Sequence, residues 1–262
     1  MISTSRNPVP ESNDSTRLNR LQAQGALPSS GGPGLPQGGQ RLHVGACSAC
    51  VVPRGDLRSV NVSRVETIEA QGKTVSTGIF KRPIDASAHL GELGISGDEQ
   101  ADPHAHGGPF RAAYAYAGED YVWWSEQLGR PLSPGSFGEN LTLSGIDVSG
   151  ALIGERWHIG DAVVQVTSPR TPCYKLGIAM GDPHFVKRFA DALRPGAYLR
   201  VVRSGSIAAG DSVVVASKPD HALSLAEMAK IYFFERARLS ELLVPDLTPK
   251  WREWVTERLQ RS

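Results

Sequence analysis

Three runs, AVVQVTS at 162–168, AYLRVVR at 197–203 and SVVVA at 212–216, are rich in β-branched residues and too short for helices that bury a face. They read as strands. GERWHIGD at 154–161 and SGSIAAGD at 204–211 each place a glycine and an aspartate ahead of a valine run, so both read as turns that feed strands. The shared Gly-Asp-x-Val-Val pattern occurs twice, which does not establish a repeat. Upstream, SVNVSRVETI and KTVSTGIF are further strand candidates, whereas GELGISGDEQAD reads as loop. Tyr121, Trp124 and Leu128 recur at helical spacing between the acidic pair Glu119–Asp120 and Gly129, which predicts one amphipathic helix. Many short strands with so few helices exclude regular βαβ units and leave a mainly β fold, a twisted barrel or sandwich.

The ends of the chain differ in texture. Residues 1–40 are rich in Ser, Asn, Gln, Pro and Gly and bury too little to offset ordering entropy. After Pro219, SLAE at 224–227 fits a capping box, with Leu225, Met228, Ala229 and Tyr232 as the buried face. Thr248 and Pro249 open a last helix with Trp251, Trp254, Val255 and Leu259 along one side. The expected organisation is a largely disordered extension at 1–56, a barrel at 57–218 and a small three-helix domain at 219–262.

Charge and cysteine usage narrow the partners. Of 262 residues, 28 are Lys or Arg and 27 Asp or Glu, so the net charge of +1 offers no general reason for nucleic acid or an anionic membrane to bind. No apolar run approaches the length of a membrane span, and the polar N-terminus lacks a secretion signal's apolar core. Three cysteines, Cys47, Cys50 and Cys173, do not form a disulfide scaffold, so a cytoplasmic location is expected. Cys47 and Cys50 form a CxxC with His43 upstream, a zinc-like spacing without a second CxxC.

VTSPRTPCYKLG at 166–177 carries the third cysteine. Pro169 and Pro172 stiffen the loop, and Arg170 and Lys175 bring positive charge near the sulfur. Such a thiol serves as nucleophile or soft metal ligand, or it simply packs as a small apolar residue. GDEQADPHAHGG at 97–108 gathers Asp98, Glu99, Asp102, His104 and His106, which suits metal binding, proton transfer or a plain solvated loop. Lys81 and Arg82 end TGIFKRP, and Asn140 ends the glycine-bounded PGSFGEN. With Arg111, Arg170 and Lys175 the two strand-end cations make a candidate anion pocket.

Taken in order, TGIFKRP, GISGDEQADPHAHGGP, PGSFGENLTLSG, IGERWHIGDAVVQVTSPRTPCYKLG and the helical tail resemble the MOSC family, named for the C-terminal domain of molybdenum cofactor sulfurases, and within it the YiiM-like branch. The resemblance runs from about Leu57 to Leu259. It implies a MOSC-type twisted β-barrel with a few peripheral helices and a small C-terminal helical domain. It implies the molybdenum cofactor (Mo-pterin), with Cys173 as thiolate ligand to the metal beside the pterin dithiolene. It further implies reduction of N-hydroxylated bases such as 6-hydroxylaminopurine, in which the N–O bond is cleaved at the cost of two electrons and protons. With no dinucleotide fingerprint or iron–sulfur cysteine array in the chain, those electrons would come from a separate flavin or iron–sulfur reductase. On this resemblance Lys81, Arg82, Arg170 and Lys175 face the cofactor phosphate and pterin, Asn140 contacts the pterin, and Asp98, Asp102, His104 and His106 form a rim that relays a proton or orients substrate. Phe110 departs from the family pattern, which has an acidic residue before the basic one; it is expected to pack toward Tyr114 or Tyr121. Two competing readings are a non-catalytic carrier of molybdenum cofactor or sulfur, and an interaction module that docks through its tail.

Overall fold

The structure, a computed structural model, describes residues 53–70, 72–102 and 107–261. Among these, seven strands close into a barrel. The ring runs through β13 (Ser212–Ser217), β9 (Arg156–Ile159), β10 (Ala162–Pro169), β11 (Ala197–Arg203), β7 (Ala113–Ala117), β8 (Leu141–Ser144) and β1 (Arg54–Val62), and β1 pairs with β13 to close it. Register shifts in β1, β10 and β13 mark the bulges that bend strands enough for closure. Leu57, Leu141, Leu143, Trp157, Ile159, Val164 and Val213 fill the interior. Full closure leaves no edge in the ring itself. The remaining short strands attach outside it. β4 (Arg82–Ile84) pairs with β1, β2 (Glu66–Ala70) with β3 (Lys73–Thr77), and β5 (Ala88–Gly91) with both β6 (Gly94–Ile95) and β12 (Gly205–Ile207).

Most sequence expectations meet their elements, and the misses have local causes. β10 and β11 occupy their expected spans to within a residue, as does β13. GERWHIGD is not all turn: Trp157 and Ile159 are fully buried on β9, and the turn itself is Gly160–Asp161. SGSIAAGD likewise contains β12, and GELGISGDEQAD contributes β6 through the pair Leu90–Ile95. β1 begins at Arg54, earlier than Leu57, because Arg54–Asp56 pair with Ser212–Val214.

All barrel pairings are antiparallel except β7–β8. A parallel pair needs a crossover. Residues 118–140 supply it as α1 (Gly118–Leu128), ended by left-handed Gly129, plus the loop that carries Gly138 and Asn140. Two seven-residue helices, α2 (Tyr174–Met180) and α3 (Phe185–Asp191), cover this crossover. Beneath them lies a second core of Tyr114, Tyr116, Tyr121, Trp124, Phe137, Phe185 and Phe189. The tail comprises α4 (Leu225–Phe233), a 3-10 turn (Arg236–Leu242) and α5 (Pro249–Gln260). Ser224 accepts a hydrogen bond from the Glu227 amide at 3.2 Å, as the capping box requires, while the Glu227 carboxylate pairs with Arg238. Leu225, Met228, Trp251, Trp254 and Val255 join the barrel core, but Leu259 is exposed. No described helix is long and apolar enough to cross a membrane.

The buried phenols make an alkaline prediction. Burial raises the ionisation of Tyr114, Tyr116 and Tyr121 above the ordinary 10.0. The folded chain therefore retains protons that the unfolded chain releases, so stability is intact below pH 10.0 and lost above it. Each group contributes a slope of about 1.4 kcal/mol per pH unit. Urea unfolding above pH 10 should show that decline, with tyrosinate absorbance from these three rings appearing only on unfolding.

Candidate functional site

A cleft of about 630 Å³ opens beside the crossover, lined by residues from six separate places in the chain. Lys81 precedes β4, and Asp98 follows β6. Arg111 ends the 3-10 turn Pro109–Arg111. Asn140 precedes β8, and Arg170 follows β10. Cys173 is the N-cap residue of α2, with Lys175 in that helix's first turn. Strand ends meeting at one barrel rim place these distant residues together. Tyr114 from β7 and Tyr198 from β11 complete the wall.

Each polar group is held. Asn140 is 5% exposed; its Oδ1 accepts from the Tyr114 amide at 3.1 Å, and its Nδ2 donates to Asp98 Oδ2 at 2.9 Å. Asp98 Oδ1 accepts from the Ser63 amide at 2.9 Å and from the Lys81 ammonium. Burial pulls the Lys81 amine below its usual range, and Asp98 opposes that shift. Arg170 donates to the Phe137 carbonyl and lies over the Tyr114 ring at 5.0 Å. Burial penalises its charge, yet Tyr114, Tyr198 and Cys173 around it favour the charged form overall. Arg111 lies over Tyr198 at 5.2 Å, and the Tyr198 and Tyr114 rings are 5.2 Å apart. The result is an alternating stack, Arg111–Tyr198–Tyr114–Arg170. Lys175 donates to the Ser76 carbonyl at 2.8 Å. Two fixed guanidinium groups, two ammonium groups and one half-buried thiol therefore share one cleft, and Asp98 and Glu99 are the carboxylates lining it.

Of the site residues expected from sequence, the cleft gathers Lys81, Asp98, Asn140, Arg170, Cys173 and Lys175. Arg82 does not line the cleft. It is exposed on β4 and lines a neighbouring groove that Lys81 also borders. Asp102 also falls outside the cleft lining. His104 and His106 lie outside the described residues, as do His43, Cys47 and Cys50. Phe110 does not join Tyr114 or Tyr121. It is 37% exposed and faces the tail, with its carbonyl accepting from Thr167 Oγ1 at 2.7 Å. Sequence reasoning missed Tyr114 and Tyr198 as site residues; the pairing of β7 with β11 is what brings them together.

Asp98→Asn is expected to cost about 2 kcal/mol in urea unfolding. The substitution preserves shape but leaves Lys81, 8% exposed at its side chain, as an uncompensated buried cation. Restored stability in Lys81→Met/Asp98→Asn relative to Asp98→Asn would confirm charge as the cause.

The MOSC domain matches residues 102–214. YflK of Bacillus subtilis is 35% identical over 212 residues, covering 79% of this chain and 96% of YflK. The chain belongs to the MOSC domain family. Its barrel resembles the crystal structure of YiiM from Geobacillus stearothermophilus, with a TM-score of 0.66 and 32% identity over 78% of this chain and 99% of that one. A protein of Gibberella moniliformis named as a reductase is 30% identical over 220 residues, and the match spans 79% of this chain but 38% of the fungal protein. The MOSC family is associated with the molybdenum cofactor.

Proposed function

We propose that this MOSC protein is a molybdenum cofactor-dependent reductase of N-hydroxylated bases such as 6-hydroxylaminopurine, driven by a separate flavin or iron–sulfur reductase. The observation that carries the reading is the single half-buried thiol of Cys173 set among the cations Arg170, Lys175, Arg111 and Lys81. That donor set fits a phosphate-bearing pterin whose metal takes sulfur ligands. Among the described residues no three of His, Cys, Asp and Glu gather to hold a metal. A metal at Cys173 would then draw its other ligands largely from its own cofactor.

When bound, the cofactor supplies the two-electron chemistry of N–O cleavage. The chain's part is positioning and charge. Cys173 would anchor the metal. Arg170, already desolvated and tied to the Phe137 carbonyl, costs little further ordering when it meets a phosphate. Lys175 and Arg111 add charge at the cleft wall. Asn140, locked by three partners, presents a fixed edge near the ring system. Lys81 Nζ holds a proton beside Asp98, in a site whose burial eases its release. Asp102, His104 and His106 stay as proposed rim residues.

The test is the wild-type protein, purified anaerobically from a host that makes the cofactor. Roughly one molybdenum and one pterin per chain, with reduction of 6-hydroxylaminopurine by an added flavin reductase, is the expected result. Cofactor without turnover under any donor would favour a carrier. Absence of cofactor after reconstitution would overturn both readings.

A further inference from the structure

A second groove, of about 580 Å³, lies between the barrel and the tail and is distinct from the cofactor cleft. Its walls include Phe110, Pro245 and Pro249, and its polar lining includes Gln165, Arg200 and Asp246. The arrangement of the two charges is unusual. Arg200 Nε donates to Gln165 Oε1 at 2.5 Å, while Gln165 Nε2 donates to the Gly154 carbonyl at 2.9 Å and approaches Asp246 Oδ1 at 3.5 Å. A neutral amide thus holds an arginine and an aspartate apart in one groove. Among the described residues Arg200 has no carboxylate partner. Among the described residues the ion-pair contact of Asp246 Oδ2 is with His221 Nε2, at 3.7 Å.

We infer that this groove is a binding site for a free apolar α-amino acid, with its carboxylate on Arg200, its ammonium on Asp246 and its side chain against Phe110. The spacing suits that class. Through the Gln165 amide, Arg200 Nε and Asp246 Oδ1 are at most about 8 Å apart. Two hydrogen bonds of ordinary length plus the short span between an amino acid's charged ends cover that distance. Phe110 supplies an exposed aromatic surface of a kind that charged groups alone do not explain. Gln165 is 7% exposed and bonded at both ends, so the fork of Arg200 is pre-oriented. Phe110 and Arg111, consecutive residues of one 3-10 turn, line the groove and the cleft respectively.

The experiment is calorimetric titration of the full-length protein with L-leucine, with N-acetyl-L-leucine and L-leucine methyl ester as probes that each lack one charge. L-leucine is expected to bind, and each single-charge probe to bind about tenfold more weakly or worse, since each loses a charge-assisted hydrogen bond. Arg200→Leu and Asp246→Asn should weaken L-leucine by a similar factor, whereas Cys173→Ala should leave its affinity unchanged. The probes act on the wild type, so the result does not depend on any variant folding. No heat from L-leucine at millimolar concentration, binding of both probes as tight as that of L-leucine, or loss of binding in Cys173→Ala would overturn the inference.

Discussion

Cys173→Ala is expected to strip molybdenum from the protein and reduce turnover of N-hydroxylated bases to background, without loss of fold. The two halves of this result have separate physical bases. Cys173 sits at the N-cap of α2 with φ −117° and ψ 170°, ordinary extended backbone that any residue adopts. It is half-buried and outside both apolar clusters, so truncation to alanine changes stability by about 1 kcal/mol at most. The sulfur, by contrast, is the only soft donor lining the cleft among the described residues. Cys173→Ser sharpens the test. Serine is a preferred N-cap residue and is expected to stabilise α2 by about 0.5 kcal/mol or more, while a hydroxyl donates poorly to a metal that prefers sulfur. A variant slightly more stable than wild type yet poor in molybdenum would separate ligation from folding. Equal molybdenum in wild type, Cys173→Ala and Cys173→Ser would remove the thiol from the metal.

How far the sequence could be read depends on the range of the interaction. β10, β11 and β13 were legible because alternation and β-branching are local, and α1 because Glu119–Asp120 and Gly129 mark its ends. α2 and α3 span seven residues each, too short for helical periodicity to register, and are stabilised by burying Leu176, Met180, Phe185 and Phe189 against the crossover. β9 hides inside a turn-like string because glycine and aspartate flank its two buried residues. Within the site, Lys81, Asn140, Arg170 and Lys175 stood out as charged or amide residues at element ends, which is where barrel rims put them. Arg82 shows the limit of that argument. Proximity in sequence placed it with Lys81, but only Lys81 reaches the cleft lining, while Arg82 is exposed on β4. The Arg111–Tyr198–Tyr114–Arg170 stack depends on the pairing of β7 with β11, whose partners lie 82 to 86 residues apart along the chain, and no local pattern announces it.

Glu139→Ala is expected to lower stability by about 4 kcal/mol and to abolish cofactor retention with it. Glu139 is fully buried, and its hydrogen-bond partners among the described residues are all neutral donors. Its carboxylate collects these donors: Oε1 accepts from the Tyr121 hydroxyl at 2.5 Å, the Gly135 amide at 2.7 Å and the Thr142 hydroxyl at 2.7 Å, and Oε2 accepts from the Phe137 amide at 3.2 Å. Burial pushes the carboxyl above its usual range, and these donors pull it back. Alanine would leave all four donors buried without an acceptor, each costing about 1 kcal/mol or more. Three of them organise the crossover loop, in which Gly135 and Gly138 take φ of +89° and +69°. A side-chain carbon at Gly138 would come within 2.8 Å of Ile79, so the loop has little room to find another path. Loss of the anchor would therefore release Asn140 and the Phe137 carbonyl that holds Arg170, two groups on which the cleft depends. Glu139→Gln keeps an acceptor at one position but turns an amide toward the Phe137 N–H, so its cost should be about half as large. Urea unfolding of the two variants, paired with molybdenum content, decides the matter. An unchanged midpoint in Glu139→Ala would mean that the loop stands without its buried carboxylate. A large loss of stability with full cofactor retention would mean that the loop's glycines, and not Glu139, set the shape of the cleft.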